Sequence, residues 1–185
     1  EKMVSLGSVV KVWFFVLLGN LIGGGMGATL LSFTDVFSSG AREAAVLIST
    51  KATELGFTTL LIKGAFAGFI VAGVVWIDYA TKDNSSRFLM TYLSFLAIPL
   101  AGLNHVVVTA TEMVFLFHTT GYPILSSFMF TVLPVLMGNI IGGVFFVTFV
   151  NYFQTPSFIK DNHYNRLPLK QWLFSFDTYL DLKRK

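Results

Sequence analysis

The chain has 185 residues, of which 54% are hydrophobic and 12% are charged, and its formal net charge is +3. A soluble domain of this length could not bury so much apolar surface, so the composition excludes an ordinary globular protein and indicates a membrane protein. The lack of cysteine also excludes disulfide bonds, thiolate metal sites and cysteine catalysis.

Four apolar runs are long enough to cross a bilayer, for which a helix needs about 20 residues. In chain order they are approximately residues 12–34, 55–77, 88–117 and 127–153. They predict an all-α transmembrane domain over residues 1–153, with a short surface helix between the first two spans. Residues 154–185 are more polar, and they are expected to form a cytoplasmic amphipathic tail at the membrane surface.

Basic residues are distributed unevenly between the two sides that four spans would create. If both termini lie on one side, that side holds ten lysine and arginine residues, and the other holds only Arg42 and Lys51. Positive charge concentrates on the cytoplasmic side of membrane proteins, so both termini are predicted to be cytoplasmic. The same bias favours contact of the basic tail with anionic lipid rather than with nucleic acid.

A six-residue motif occurs twice, as GNLIGG at residues 19–24 and as GNIIGG at residues 138–143. Glycines four residues apart lie on one helix face and allow close helix packing, which is predicted here for Gly19, Gly23, Gly138 and Gly142 and also for Gly64 and Gly68 in the second span. A repeated motif in membrane spans indicates internal duplication, which is typical of proteins that move solutes.

The third span is interrupted by Pro99 and Gly102. Proline removes a backbone donor, and irregular backbone at membrane depth persists only where it is buried in protein or lines a wet cavity. The span is therefore predicted to be two half-helices with a break near residues 102–105. Half-helix ends near the midplane often build a solute site.

His105 is the leading candidate for a functional residue, with Asn104 beside it at the predicted break. An ionisable residue at membrane depth is a functional-site hypothesis by default, and histidine exchanges a proton near neutral pH. The alternative is a neutral histidine that only satisfies a hydrogen bond between helices. Thr109, one helical turn later, is expected to line the same path.

Three charged residues near this span have two interpretations each. Lys63 either attracts an anion toward a pore or extends outward to the membrane surface. Lys51, in the outer surface segment, is either a vestibule charge or an ordinary surface lysine. Glu112 follows His105 by two helical turns, so it either tunes the histidine or reaches the outer interface. No phosphate loop, nucleophile elbow or paired metal ligands occur, so neither an enzyme nor a metal or cofactor site is predicted.

The order and spacing of these features resemble the formate/nitrite transporter family. The motif at 19–24 resembles the family's third transmembrane helix, and residues 63–76 resemble the fourth. Gly102-Leu103-Asn104-His105 resembles the G-F-E-H of the broken fifth helix, and residues 134–143 resemble the sixth. The resemblance covers nearly all of residues 11–153.

This resemblance implies an aquaporin-like, inverted-repeat bundle of which the chain contains four of six transmembrane helices. The chain is then expected to be part of a longer protein, in a divergent branch of the family in the bacterial inner membrane. Family members assemble as pentamers with one pore per subunit, and they pass small monovalent anions such as formate or nitrite, usually with a proton. Small anion, proton and lipid are therefore the expected partners, without nucleic acid or cofactor.

The resemblance also implies roles for individual residues. The family's central histidine, thought to protonate or hydrogen-bond the anion, corresponds to His105. Lys51 is the nearest counterpart of the vestibule lysine, and Ile98 stands where a constriction phenylalanine is common.

Four positions depart from the family pattern. Gly68 and Thr109 replace asparagines expected to line the pore, Asn104 replaces an acid, and Glu112 replaces an apolar residue. The substrate therefore stays open, and two other functions remain as alternatives. One is a channel for a small neutral solute, and the other is a non-transporting membrane scaffold that binds a partner through residues 171–185.

Overall fold

The structure of the chain is a computed structural model, which describes residues 4–146, 149–150 and 167–176. The helices of this part, in chain order, are α1 Leu6–Ser32, α2 Ser39–Thr53, α3 Phe57–Ala80, α4 Asn84–Leu100, α5 Val106–Thr120, α6 Ile124–Ser127, α7 Leu133–Ile140 and α8 Leu169–Phe174. Wider π-helical turns, Phe128–Val132 and Ile141–Phe146, follow α6 and α7. The expected all-α membrane bundle is confirmed.

Three helical stretches in the described residues are long and apolar enough to cross a membrane: Leu6–Ser32, Phe57–Ala80 and Ile124–Phe145. The third predicted span is instead two shorter helices, α4 and α5, and the backbone between them is not helical. The predicted break near residues 102–105 is therefore confirmed. Most of the predicted tail, residues 154–166 and 177–185, lies outside the described residues.

The chain divides into two compact units. The larger unit comprises residues 21–150, and the smaller comprises residues 1–20 and 151–185. In the smaller unit the Ser8 hydroxyl donates a hydrogen bond to the Phe176 carbonyl oxygen at 2.5 Å. This bond fixes the start of α1 against the residues that follow α8.

The centre of the larger unit is the contact between α3 and α7. Leu60, Ala67 and Val135 are fully buried there. A side chain on Gly138 would overlap the backbone of residues 61–65 on α3, and one on Gly64 would overlap Val135. The two helices approach this closely only because both faces carry glycine. The second copy of the repeated motif is therefore a packing surface for α3.

Proline explains the wider helical turn before α7. Pro134 stands at the second position of α7 and lacks a backbone N–H. Its ring would also crowd the carbonyl group of Phe130, four residues earlier. The π-helical turn Phe128–Val132 relieves this conflict without ending the helix. The last apolar run therefore remains one continuous helical stretch despite its proline.

The short connection between α3 and α4 is held by its own charges. The Asp83 carboxylate caps α4 by accepting a hydrogen bond from the Ser86 backbone N–H at 2.7 Å. The hydrogen bonds from Ser86 lower the pKa of Asp83, because they favour its ionised form. Arg87 forms an ion pair with Asp78 at 2.9 Å. These contacts fix the end of α3 against the start of α4, which leads into the break.

Candidate functional site

The break between α4 and α5 is a defined piece of backbone. Beyond the last residue of α4, the Gly102 N–H donates to the Pro99 carbonyl oxygen and the Leu103 N–H to that of Ile98. Gly102 has a φ of +62°, in the left-handed region that glycine adopts most easily. His105 is extended and caps α5 through its carbonyl oxygen, which accepts from the Thr109 N–H at 2.8 Å.

Two neighbouring helices are hydrogen-bonded to this break. The Lys63 Nζ of α3 donates to the Gly102 carbonyl oxygen at 2.9 Å. The Asn139 side chain of α7 accepts a hydrogen bond from the Val106 N–H at 3.0 Å. It also donates to the Gly64 carbonyl oxygen at 2.8 Å and to that of Asn104 at 3.4 Å. The break is therefore anchored on two sides.

A cavity of about 930 Å³ opens at the break, between α2, α3, α4 and α5. Seven of the eight residues assigned to a pore from the sequence line it: Lys51, Lys63, Ile98, Asn104, His105, Thr109 and Glu112. Its other walls are mainly apolar and include Ile48, Ala52, Leu55, Phe95, Pro99, Leu103 and Val108. An apolar cavity with a few converging polar groups is the usual form of a small-molecule site.

The start of α5 and one face of that helix supply three of the seven polar or charged residues that line the cavity. His105, Thr109 and Glu112 follow each other at four and three residues, so they project from the same side of the helix. Thr109 is 1% exposed, and neither its hydroxyl oxygen nor the Asn104 Oδ1 has a hydrogen-bond partner among the described residues. Both are buried polar atoms at the wall of the cavity whose hydrogen-bonding capacity is not used by the described residues.

The charges around the cavity nearly balance. Lys51 and Lys63 contribute two positive charges, and Glu54 and Glu112 contribute two carboxyl groups. None of these four groups forms an ion pair within 4.0 Å with another described residue; the ion pair found among the described residues joins Asp78 and Arg87. Lys63 reaches the break itself, where its ammonium group lies at the carbonyl end of α4, a favourable position for a cation.

Gly68 lies outside this cavity. It is buried against α7, where a side chain at this position would overlap the backbone of Asn139. Gly68 lies on the face of α3 that packs against α7. An asparagine side chain, which the family pattern has at this position, cannot be accommodated in that contact. Of the two roles that the sequence suggests for Gly68, this contact agrees with helix packing, and Gly68 does not line the cavity at the break.

The first copy of the repeated motif contacts α5 through a different glycine from those predicted. A side chain at Gly24 would overlap the Thr111 hydroxyl of α5. Added side chains at Gly19 and Gly23 would meet no atom of the described residues within 4 Å, so close packing at these two glycines stays a prediction.

Sequence reasoning missed two residues of the site. Glu54 lines the cavity three residues after Lys51, and this spacing on a surface helix was an available signal. Asn139 belongs to the repeated motif, whose glycines alone predicted packing. Its polar side chain, between the two packing glycines of an otherwise apolar helix, was the available signal of a hydrogen bond to a neighbouring segment.

Residues 1–153 match the family model described as formate/nitrite transporter. The chain belongs to the formate/nitrite transporter family. This membership agrees with the broken helix and with the glycine-packed α3 and α7. It confirms the resemblance seen in the sequence.

Individual relatives in the formate/nitrite transporter family are distant. The chain is 28% identical over 154 residues to the inner membrane protein YfdC of Escherichia coli, covering 82% of this chain and 48% of the relative. It is 26% identical over 159 residues to the formate channel BtFdhC of Bacillus thuringiensis, covering 82% of this chain and 58% of that channel. The chain therefore spans about half the length of these relatives.

A solved structure supports the same fold. An FNT family ion channel superimposes with a TM-score of 0.72 at 23% identity, covering 83% of this chain and 62% of that chain. Because the identity is low, this likeness concerns the arrangement of the helices alone. Within the family fold, the cavity at the break is the feature that remains to be explained in functional terms.

Proposed function

We propose that this chain forms part of a channel or transporter for a small monovalent anion or its conjugate acid, and that His105 is the proton donor. One observation carries the proposal: His105 lies at a helix break, in a cavity that also contains two lysines. Membership of the formate/nitrite transporter family supports the solute class, as does the name of the Bacillus thuringiensis relative, a formate channel.

The first step of the proposed mechanism is attraction of the anion. Lys51 and Lys63 line the cavity, and the N-terminus of α5 begins at its wall. A helix N-terminus carries partial positive charge and unpaired backbone donors, both of which favour an anion. Asn104 and Thr109 add polar atoms that are buried and unpartnered among the described residues.

The second step is proton transfer from the His105 imidazolium to an oxygen of the anion. One N–H bond breaks and one O–H bond forms, which leaves a neutral imidazole and a neutral acid. An isolated charge is very costly to move through apolar surroundings, whereas the neutral acid is not. The apolar wall that includes the buried Ile98 then favours passage of the acid over that of the anion. His105 regains its proton from water.

The orientation and assembly of the protein are part of this proposal. The excess of lysine and arginine on the side of the termini supports a cytoplasmic C-terminus. The Escherichia coli relative is named an inner membrane protein, which supports the bacterial inner membrane as the location. The pentamer is proposed from the family resemblance alone.

Flux measurements on reconstituted liposomes test the proposed solute class. Formate and nitrite are expected to enter faster at a pH below the ordinary pKa of histidine than above it, while glycerol and water enter at the rate of empty liposomes. Stopped-flow light scattering measures all four solutes in the same preparation. Flux of glycerol or water without flux of formate or nitrite would contradict an anionic solute. If none of the four solutes passed, the result would favour the non-transporting scaffold.

A neutral solute remains the second candidate, because Glu54 and Glu112 formally offset the two lysines of the cavity. Glu112→Gln distinguishes the two candidates. If an anion passes, removing this carboxyl group raises the flux at a pH high enough to ionise it, by about tenfold for each 1.4 kcal/mol of repulsion removed. Glu43→Gln, on α2 but outside the cavity lining, is the matched control. Unchanged formate flux in Glu112→Gln would count against an anionic solute.

A further inference from the structure

Asn139, within the second copy of the repeated motif, has no part in the mechanism proposed above. Its side chain nevertheless contacts the peptide groups on both sides of His105. The Oδ1 atom accepts from the Val106 N–H at 3.0 Å, and the Nδ2 atom donates to the Asn104 carbonyl oxygen at 3.4 Å. A third hydrogen bond, to the Gly64 carbonyl oxygen at 2.8 Å, ties the amide to α3.

The bond to Val106 replaces a cap that α5 lacks. The first N–H groups of a helix have no partner inside the helix, and a side chain just before the helix usually accepts from one of them. His105 occupies that position and makes no such side-chain bond. Asn139 supplies the acceptor from another helix, so the start of α5 depends on α7.

The same geometry fixes which way the amide of Asn139 points. The Val106 N–H needs an acceptor, and the Gly64 and Asn104 carbonyl oxygens need donors. A flipped amide would direct its NH₂ group at the N–H and its oxygen at the carbonyl groups, which would lose all three bonds. One orientation therefore satisfies the whole set, and it holds Asn139 rigidly.

We infer that Asn139 is the positioning residue that directs His105 into the cavity. The His105 imidazole has no hydrogen bond to another described side chain or backbone group that would orient it. Its direction consequently follows from the backbone on its two sides, which Asn139 holds. This inference rests on the proposed role of His105 as proton donor, and it extends that role to the helix that supports the break.

The test compares Asn139→Leu, His105→Phe and the double variant in the full-length protein, reconstituted in liposomes, with formate as the probe. Asn139→Leu is expected to lower formate flux by tenfold or more and to flatten its pH profile. The double variant is expected to be no slower than His105→Phe alone, because two residues that act as one unit give non-additive losses. Asn139→Ser, a smaller polar replacement, is measured in parallel and is expected to show the same change in pH profile. A folding defect of the leucine variant alone then does not decide the result.

Ser127→Ala is the matched control. Ser127 is buried in the same helical stretch, and its hydroxyl donates to the Pro123 carbonyl oxygen at 3.1 Å, a hydrogen bond that does not involve the break. This variant loses one buried hydrogen bond and is expected to retain the pH profile. If the role of Asn139 were merely structural, the Asn139 variants would retain the pH profile as well.

The outcomes separate the two proposals. If His105→Phe loses the pH dependence while both Asn139 variants keep it, the positioning role is overturned and the proton donor stands. Additive losses in the double variant would overturn the positioning role as well. If His105→Phe itself keeps the pH profile of the unaltered protein, the proton donor fails, and the role inferred for Asn139 fails with it.

Discussion

Replacing His105 with phenylalanine is expected to abolish pH-dependent anion flux. General acid–base groups typically contribute a factor of about a hundred or more, so the flux should fall by at least that factor, or about 2.7 kcal/mol in the barrier. The reason is that the solute would have to pass the apolar wall at Ile98 as an ion. Formate uptake into proteoliposomes, measured across the pH range in which histidine titrates, provides the comparison.

His118→Phe is the matched control for this prediction. His118 lies near the other end of α5, where its Nε2 is 3.1 Å from the Thr29 hydroxyl, and it does not line the cavity. The two variants therefore place the same ring at opposite ends of α5, but only one removes a titratable group from the cavity. Equal flux and equal pH dependence in His105→Phe and the unaltered protein would eliminate His105 as the proton donor.

Gly138→Ala is expected to have the second large effect, a loss of stability of the folded protein. A single methyl group there would overlap the Leu61 carbonyl oxygen and the Ala65 nitrogen, which are backbone atoms that cannot rotate away. Overpacking of this kind costs about 1–3 kcal/mol, and separation of α3 from α7 would add to that cost. The thermal midpoint of the detergent-solubilised protein, followed by size-exclusion chromatography after heating, should fall.

Gly73→Ala is the corresponding control on the partner helix. An added methyl group at Gly73 meets no described atom within 4 Å. Alanine also favours helix over glycine by about 0.8–1.0 kcal/mol, so this variant should be as stable as the unaltered protein or more stable. If Gly138→Ala and Gly73→Ala had the same thermal midpoint, the close approach of α3 and α7 would not be a source of stability.

The broken span was predictable because its causes are local. Proline at residue 99 lacks a backbone donor, and glycine at residue 102 can take a positive φ at little cost, so the end of α4 could be located from these two residues. The position of His105 directly before α5 followed from the same break. The cavity-lining face of α5 was predictable too, because the spacing of Thr109 and Glu112 from His105 depends only on helix geometry.

Which side of a helix faces the cavity and which side packs against a neighbour depends on helix rotation. Gly68 and Gly64 both lie on the face of α3 that packs against α7, whereas Lys63 turns toward the break. Similarly, Gly24 rather than Gly23 meets α5. The hydropathy of α3 is high all round the helix, so no polar stripe indicated which side faced its neighbours. Only the packed structure decides that rotation.

Lys63 and Gly64 are consecutive residues, and this adjacency limits how the subunit can change conformation. One bonds the Gly102 carbonyl oxygen and the other the amide of Asn139. Together with the glycine contacts between α3 and α7, these bonds link α3, α7 and the start of α5 to one another. Moving the start of α5 alone would therefore break the bonds of Lys63 and Asn139 to the break. Of the helices that line the cavity, α2 is the one that takes no part in these bonds.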